Sequence, residues 1–197
     1  MTIERRRVAP PPSSLVSPSR SLTSHGLVDV IRTYLELSSR EALRPAKAMA
    51  SDARVVRRDP CSVADYRRLY AAVGAAWHWR DRLRWDDETL RAHLASPRIA
   101  VWELLVGDAS AGFFELRKSG DDEVEIAYFG LVPAFIGRGL GGALLTTAVE
   151  EAWRFGGRRV WLHTCTLDSP HALPNYKARG FTPYRTETYE TELEPST

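Results

Sequence analysis

Gly137, Gly139, Gly141 and Gly142 fall within six consecutive positions, between an apolar run that reads as a strand and a run with helical periodicity. A helix start carries unpaired N–H groups and a partial positive charge, and a backbone without side chains lets a phosphate approach them. The chemistry this predicts is the binding of a phosphorylated cofactor. A P-loop needs Lys and then Ser or Thr after the last glycine, whereas Gly142 is followed by Ala143 and Leu144. A dinucleotide fingerprint is matched in letters by Gly137, Gly139 and Gly142, but it belongs in a βαβ unit with an acidic residue after the next strand. Here the preceding strands read as an antiparallel meander, and the next one, Val160 to Cys165, has no acidic residue near its end before Asp168.

Trp77 to Trp85 is the second unusual stretch, with three tryptophans and His78 among Arg80, Asp81, Arg82 and Arg84. Aromatic walls with a carboxylate suit an organic cation or amine. The arginines would instead suit a ligand carrying a carboxylate, and an amphipathic helix that buries its indoles would show the same pattern. His163 shares a strand face with Trp161 and Cys165, and its ordinary titration range suits proton transfer near neutral pH. Cys61 and Cys165 lie far apart in no metal-type spacing, so no metal site and no disulfide scaffold is expected.

The elements that position these residues can be read along the chain. Residues 1–24, rich in Arg, Pro and Ser without periodicity, read as a disordered tail. Residues 25–52, with the apolar stretch Val28 to Leu37, read as an arm packed on a domain that covers 53–197. That domain opens with a short strand, Arg54 to Arg58. Ser62 caps a helix to Val73, and Asp86 opens another that ends near Ser96-Pro97. Strands over Ile99–Val106, Gly112–Lys118 and Glu123–Leu131 are separated by turn chemistry at Gly107-Asp108 and at Ser119 to Asp122, which makes an antiparallel meander. A helix over 139–155 places Leu140, Ala143, Leu144, Ala148 and Ala152 on one face and stops at Gly156-Gly157. A strand to Cys165, a short helix over 170–179 and final strands over Phe181–Leu193 complete an α/β domain on one sheet.

The chain of 197 residues is 44% hydrophobic, enough for a core, and its net charge of +2 gives no bulk argument for nucleic acid. No apolar run is long enough to cross a bilayer, and Arg5, Arg6 and Arg7 are followed by Pro and Ser rather than by a secretory apolar region. A reducing cytoplasm fits the cysteine usage.

The glycine segment resembles the pyrophosphate loop of the GNAT superfamily of N-acetyltransferases, which reads Gln/Arg-x-x-Gly-x-Gly/Ala. The match is Ile136-Gly137-Arg138-Gly139-Leu140-Gly141, followed by the family's Ala-Leu-Leu at Ala143 to Leu145; Ile136 departs from the pattern. Leu131-Val132-Pro133 looks like the family's strand exit, and Tyr176-Lys177-Ala178-Arg179-Gly180-Phe181 looks like its Tyr-x-x-x-Gly-Phe element. The resemblance implies a GNAT-type fold, a mostly antiparallel mixed sheet flanked by helices and splayed between the fourth and fifth core strands. It implies acetyl-CoA as co-substrate, held by Leu131, Val132, Pro133, Gly137, Arg138, Gly139, Leu140, Gly141, Gly142 and Ala143, with a backbone N–H near Phe129 or Gly130 facing the thioester oxygen. It makes Tyr176 the general acid near the sulfur and Glu125 the leading general base, in the carboxylate role of the histone acetyltransferase branch, if partial burial raises its pKa. Glu115 and His163 remain alternative bases. The acceptor, a primary amine of a small molecule, would meet Trp77, Trp79, Asp81 and His163. Direct transfer by a monomer or homodimer is the expected activity, with neither nucleic acid nor membrane as partner. The alternative is a non-catalytic acyl-CoA sensor, which Ile136 favours and Tyr176 and Glu125 oppose.

Overall fold

A computed structural model describes residues 27–192; the tail expected over 1–24 lies outside the described residues. Seven strands form one sheet: β1 (Leu27–Leu37), β2 (Ala53–Arg58), β3 (Ile99–Val106), β4 (Ala109–Lys118), β5 (Glu123–Leu131), β6 (Arg159–Cys165) and β7 (Thr182–Glu192). Their spatial order is β2-β3-β4-β5-β6-β1-β7, and only β5–β6 is parallel. The helices are α1 (Val63–Gly74), α2 (Asp87–Leu94), α3 (Leu140–Arg154) and α4 (Ala172–Ala178). Local chemistry explains their ends. The Ser62 and Asp86 side chains accept from the third amide onward, Asp65 and Thr89, and so cap α1 and α2. Gly156, at φ 106°, lets the chain leave α3 through a conformation that side chains resist.

Alternation along the strands divides the core in two. Leu116, Val124, Ile126 and Val160 pack under α3 with Leu144, Leu145 and Ala148. Val101 and Phe113 pack on the opposite face under α1 and α2, against Tyr66, Leu69, Tyr70, Val73 and Leu90.

The stretch expected as an arm is, over Leu27–Leu37, a strand inside the sheet. It pairs antiparallel with β6, Tyr34 opposite His163, and with β7, Val30 opposite Tyr189, and it buries Val30, Leu35 and Leu37. Its partners are distant in sequence, so nothing local announces the pairing. Only the segment after it packs as an arm would: Arg44 N–H donates to the Arg179 carbonyl at 3.0 Å, and Ala46 N–H to Thr146 Oγ1 on α3 at 3.0 Å. Two other details differ from the sequence reading. The several strands expected after Phe181 are the single β7. Trp77 to Trp85 is not one helix but two 3₁₀ turns, Ala75–Trp77 and Asp81–Arg84, hinged at His78 with φ 56°.

Candidate active site

The site begins where two strands part. β5 and β6 pair at only three positions, ending with Glu125 opposite Trp161. On the other side of β5, Leu116 is opposite Ile126 and Glu115 opposite Tyr128, which leaves Ala127 as an extra, bulged residue. A bulge bends its strand and increases its twist, so β5 turns away from β6 directly after the last pair. The fork opens a cavity of about 810 Å³. Its walls are the parted strands, the start of α3, Asn175 and Tyr176 of α4, and the Trp77 to Arg84 loop.

The glycines at one end serve different needs. Gly137 and Gly139 have φ of 83° and 76°, and a Cβ at either would meet nothing within 4 Å, so conformation rather than space requires glycine there. Gly139 is the N-cap of α3 with no side-chain hydrogen bond, and the first turn holds no acidic residue, so the amides and the positive end of the dipole lie open. At Gly142 a Cβ would stand 2.6 Å from Arg179 Nη1, the far end of a flexible side chain, and 3.1 Å from Ala46 Cβ, so a side chain there would require both to give way. Gly141 is different. A Cβ there would make only ordinary contacts, 3.7 Å to Leu131 Cδ1 and 3.8 Å to Asn175 Nδ2, yet a helical glycine costs about 0.5–1 kcal/mol relative to Ala. Nothing in the fold repays that cost, whereas an anion drawn close to the backbone at the cavity edge would. Asn175 Nδ2 donates to the Gly141 carbonyl at 3.3 Å and steadies this turn.

At the vertex of the fork, Glu125 is 2% exposed. Arg117 Nε donates to its Oε2 at 2.7 Å, and Oε1 lies 3.7 Å from His163 Nδ1. Burial alone would raise its pKa, but the adjoining His163 ring and the Arg117 guanidinium outweigh burial and hold the carboxyl below its ordinary range. The raised pKa on which its role as base was conditioned is therefore absent: the fork vertex keeps Glu125 ionised because it is paired. Glu115 lies on the same sheet face but is fully buried under α1 and α2, bonded to the Tyr66 hydroxyl and His93 Nε2 with Arg82 Nη2 at 3.6 Å. Its partners remove it from the cavity, whose walls do not include it.

Tyr176 packs edge-on against Phe129 and Phe181 and lines the cavity. Burial, with the nearby Asp168 carboxylate, raises its pKa, so the phenol keeps its proton. Asp168 closes the turn after β6: its Oδ2 accepts from Thr164 Oγ1 and Cys165 N–H, both at 2.8 Å. Burial followed by Asp168 also raises the Cys165 pKa, which disfavours a thiolate there.

The model of the Acetyltransferase (GNAT) family matches residues 65–181, more than half of the chain. The chain belongs to the GNAT acetyltransferase family. A mycothiol acetyltransferase from Corynebacterium efficiens is 32% identical over 118 residues, which cover 56% of this chain and 38% of that protein. Among solved structures, a GCN5-related N-acetyltransferase from Kribbella flavida superposes with a TM-score of 0.60 at 16% identity, over 86% of this chain and 60% of that one. Another from Sphaerobacter thermophilus gives 0.56 at 19% identity, over 86% and 53%. At such identities the structures bear on the fold alone. The chain spans well under half the length of the curated relative.

Within this GNAT fold, Glu125, Leu131, Gly137, Gly139, Gly141, Gly142 and Tyr176 all line the cavity, as do Trp77, Trp79, Asp81 and His163. The remaining residues expected at the cofactor do not. Val132 packs toward α1 and spends its N–H on the Ala111 carbonyl at 2.9 Å, and Pro133 has no N–H to give. Leu140 and Ala143 point into the core, so only their main chain could serve, and the Arg138 guanidinium lies over the Phe135 ring at 4.9 Å. Sequence reasoning missed Tyr70, Tyr128 and Arg117. Tyr128 stands between Tyr70, at a centroid distance of 5.0 Å, and Trp79, at 5.1 Å, and its hydroxyl donates to Asp81 Oδ2 at 3.3 Å. The available signal was a pair of tyrosines, Tyr66 and Tyr70, on the apolar stripe of α1, where a polar-headed ring needs a partner. Trp79 reaches this cluster by lying on bare backbone: a Cβ on Gly74 would stand 2.6 Å from Trp79 Cβ.

Among the described residues no helix is long and apolar enough to cross a membrane, and no group of three or more His, Cys, Asp or Glu is placed to hold a metal ion.

Proposed function

We propose that this chain transfers an acetyl group from acetyl-CoA to a primary amine of a small molecule, directly, within a ternary complex. One observation carries the reading: the fork between β5 and β6 joins an uncapped, glycine-lined helix start, a buried phenol and an aromatic–carboxylate pocket in one cavity. The site fits the co-substrate, because the amides from Gly137 to Gly142 offer a diphosphate cradle and Gly141 lacks the side chain that would obstruct it. Bound there, acetyl-CoA supplies an acetyl group activated as a thioester.

The chain's own residues do the rest. The edge of β5 beyond Glu125 is released from β6, so its main chain near Phe129 is free to orient and polarise a carbonyl, whereas Gly130 pairs with Phe113 of β4. The Tyr176 hydroxyl, which burial keeps protonated, donates a proton to the departing sulfur. Tyr128, Trp79 and Asp81 receive the amine as aromatic faces with a carboxylate. The name of the curated relative, a mycothiol acetyltransferase, supports a small-molecule acceptor.

The test is release of free coenzyme A thiol over a panel of primary amines, alongside calorimetric titration with coenzyme A. Binding together with amine-dependent thiol release is expected, and Tyr176→Phe should lower kcat about 10²–10⁴-fold while leaving coenzyme A affinity unchanged. Binding without turnover on any amine would replace this reading with that of a sensor, and absence of binding would end both.

A further inference from the structure

We propose that His163 takes the proton from the acceptor amine and that Glu125 is the residue that positions it. The inference rests on the acetyl-transfer reading above. His163 lies on β6 two residues beyond Trp161, the last residue of that strand paired with β5, so its imidazole stands in the mouth of the fork. Tyr34 of β1 is directly opposite in register, and its ring backs the imidazole at a centroid distance of 5.6 Å. The His163 side chain is 36% exposed and lines the cavity.

The carboxylate beside it is arranged for a different task. One Glu125 oxygen is held by Arg117 and the other faces His163 Nδ1. A buried carboxylate kept ionised by a guanidinium is a weak base. It is a good acceptor for an imidazole N–H, and an Nδ1–H directed at Glu125 leaves Nε2 as the proton-accepting atom. The 3.7 Å separation is long for a hydrogen bond, as acid–base pairs without substrate commonly are. The groups facing the ring are Glu125 of β5 and Arg117 of β4 behind it. Tyr34 faces it from β1, with Arg32 of the same strand opposite Cys165, while Glu187 and Arg185 of β7 hold Tyr34 by its hydroxyl and ring face. Cys165 and Asp168 follow on its own strand end.

The protons balance. The acceptor enters as an ammonium and gives one proton to His163 Nε2, forming an imidazolium against the Glu125 carboxylate. The neutral nitrogen then forms the new C–N bond as the C–S bond breaks. The second proton lost by that nitrogen reaches the sulfur by way of Tyr176, and the imidazolium releases its proton to water.

The experiment measures kcat/KM against pH with acetyl-CoA and the best amine of the panel, for the unaltered chain, His163→Gln, His163→Ala and Glu125→Gln. Both His163 variants should lose about 10²–10⁴-fold in kcat/KM, and the acid limb of the unaltered chain should give way to the rise that the amine's own deprotonation imposes, with coenzyme A affinity unchanged. Free imidazole should restore part of the rate to His163→Ala. Glu125→Gln should cost less and move the acid limb to lower pH, a displacement that a merely structural glutamate would not cause. Retention of the unaltered chain's own acid limb in both His163 variants, or turnover within about threefold of the unaltered chain, overturns the assignment while acetyl transfer stands. A chain that transfers acetyl to no amine overturns both.

Discussion

Replacing Gly139 with Ala isolates what the glycine loop is for. The residue sits at φ 76° and a Cβ there would meet nothing within 4 Å, so the whole cost of Gly139→Ala is conformational. Holding an L-residue in the left-handed region costs roughly 1–2 kcal/mol. That strain can appear in one of two places. If the free protein keeps the loop as it is, the strain is felt on folding, and for a chain of this size Tm should fall by about 2–8 °C with coenzyme A affinity unchanged. If the free loop relaxes, Tm barely moves, and binding must restore the strained form, which weakens affinity roughly 5–30-fold. The unfolded chain and the bound form are common to both routes, so the two losses, expressed as free energies, should sum to roughly 1–2 kcal/mol. Differential scanning calorimetry and isothermal titration with coenzyme A measure the two parts. Unchanged values for both would refute the claim that this backbone conformation serves the ligand. A combined loss well above that range would mean that space at the site is not open.

Three further outcomes follow from the buried charges and close contacts. Glu115→Gln should destabilise the fold by about 3–5 kcal/mol in urea titration, because it strips the counter-charge from the largely buried Arg82 and weakens the bonds with Tyr66 and His93. The folded-state pKa values of Glu125 and Glu103 are lowered, so their contribution is full above the ordinary carboxylate pKa of about 4.3 and is lost as pH falls through the folded values. Stability should therefore decline below about pH 5, and Glu125→Gln should flatten part of that decline in pH-dependent denaturation. Gly130→Ala would drive a methyl into Val73 Cγ1 where α1 lies on β5, and chemical denaturation should register a loss of about 1–3 kcal/mol, or else α1 has room to move that its packing does not suggest.

The parts of this fold that were legible in the sequence are those whose signals are local. The meander from Ile99 to Leu131 shows strand runs separated by short turn segments, and α3 shows periodicity between Gly139 and Gly156, so both were found close to their true limits. β1 was legible only as an apolar stretch, because its pairing partners lie far along the chain. The Trp77 to Trp85 loop was misleading in another way. His78 adopts positive φ with no glycine to mark it, and the hydrogen bond from Tyr128 to Asp81 that orders the pocket crosses 47 residues. The glycine loop and several cavity residues were legible, but most of the lining and its electrostatics were not. Arg117 meets Glu125 because of hairpin register, and Ala127 opens the fork because one residue is unmatched across β4, neither of which is visible without the pairing.

The place of β1 also constrains how the molecule is made. Glu36 and Arg159, whose side chains meet at 2.6 Å where β1 joins β6, are separated by 123 residues. At roughly 5–20 residues per second, synthesis would deliver β1 about 6–25 s before the partner it needs. Through that interval a segment carrying Val30, Leu35 and Leu37 has open edges and no sheet to enter, the condition in which nascent chains associate with one another or are retained by chaperones. The earliest described strand to leave the ribosome is thus among the last to be housed, and the half of the fork that carries His163 waits on it.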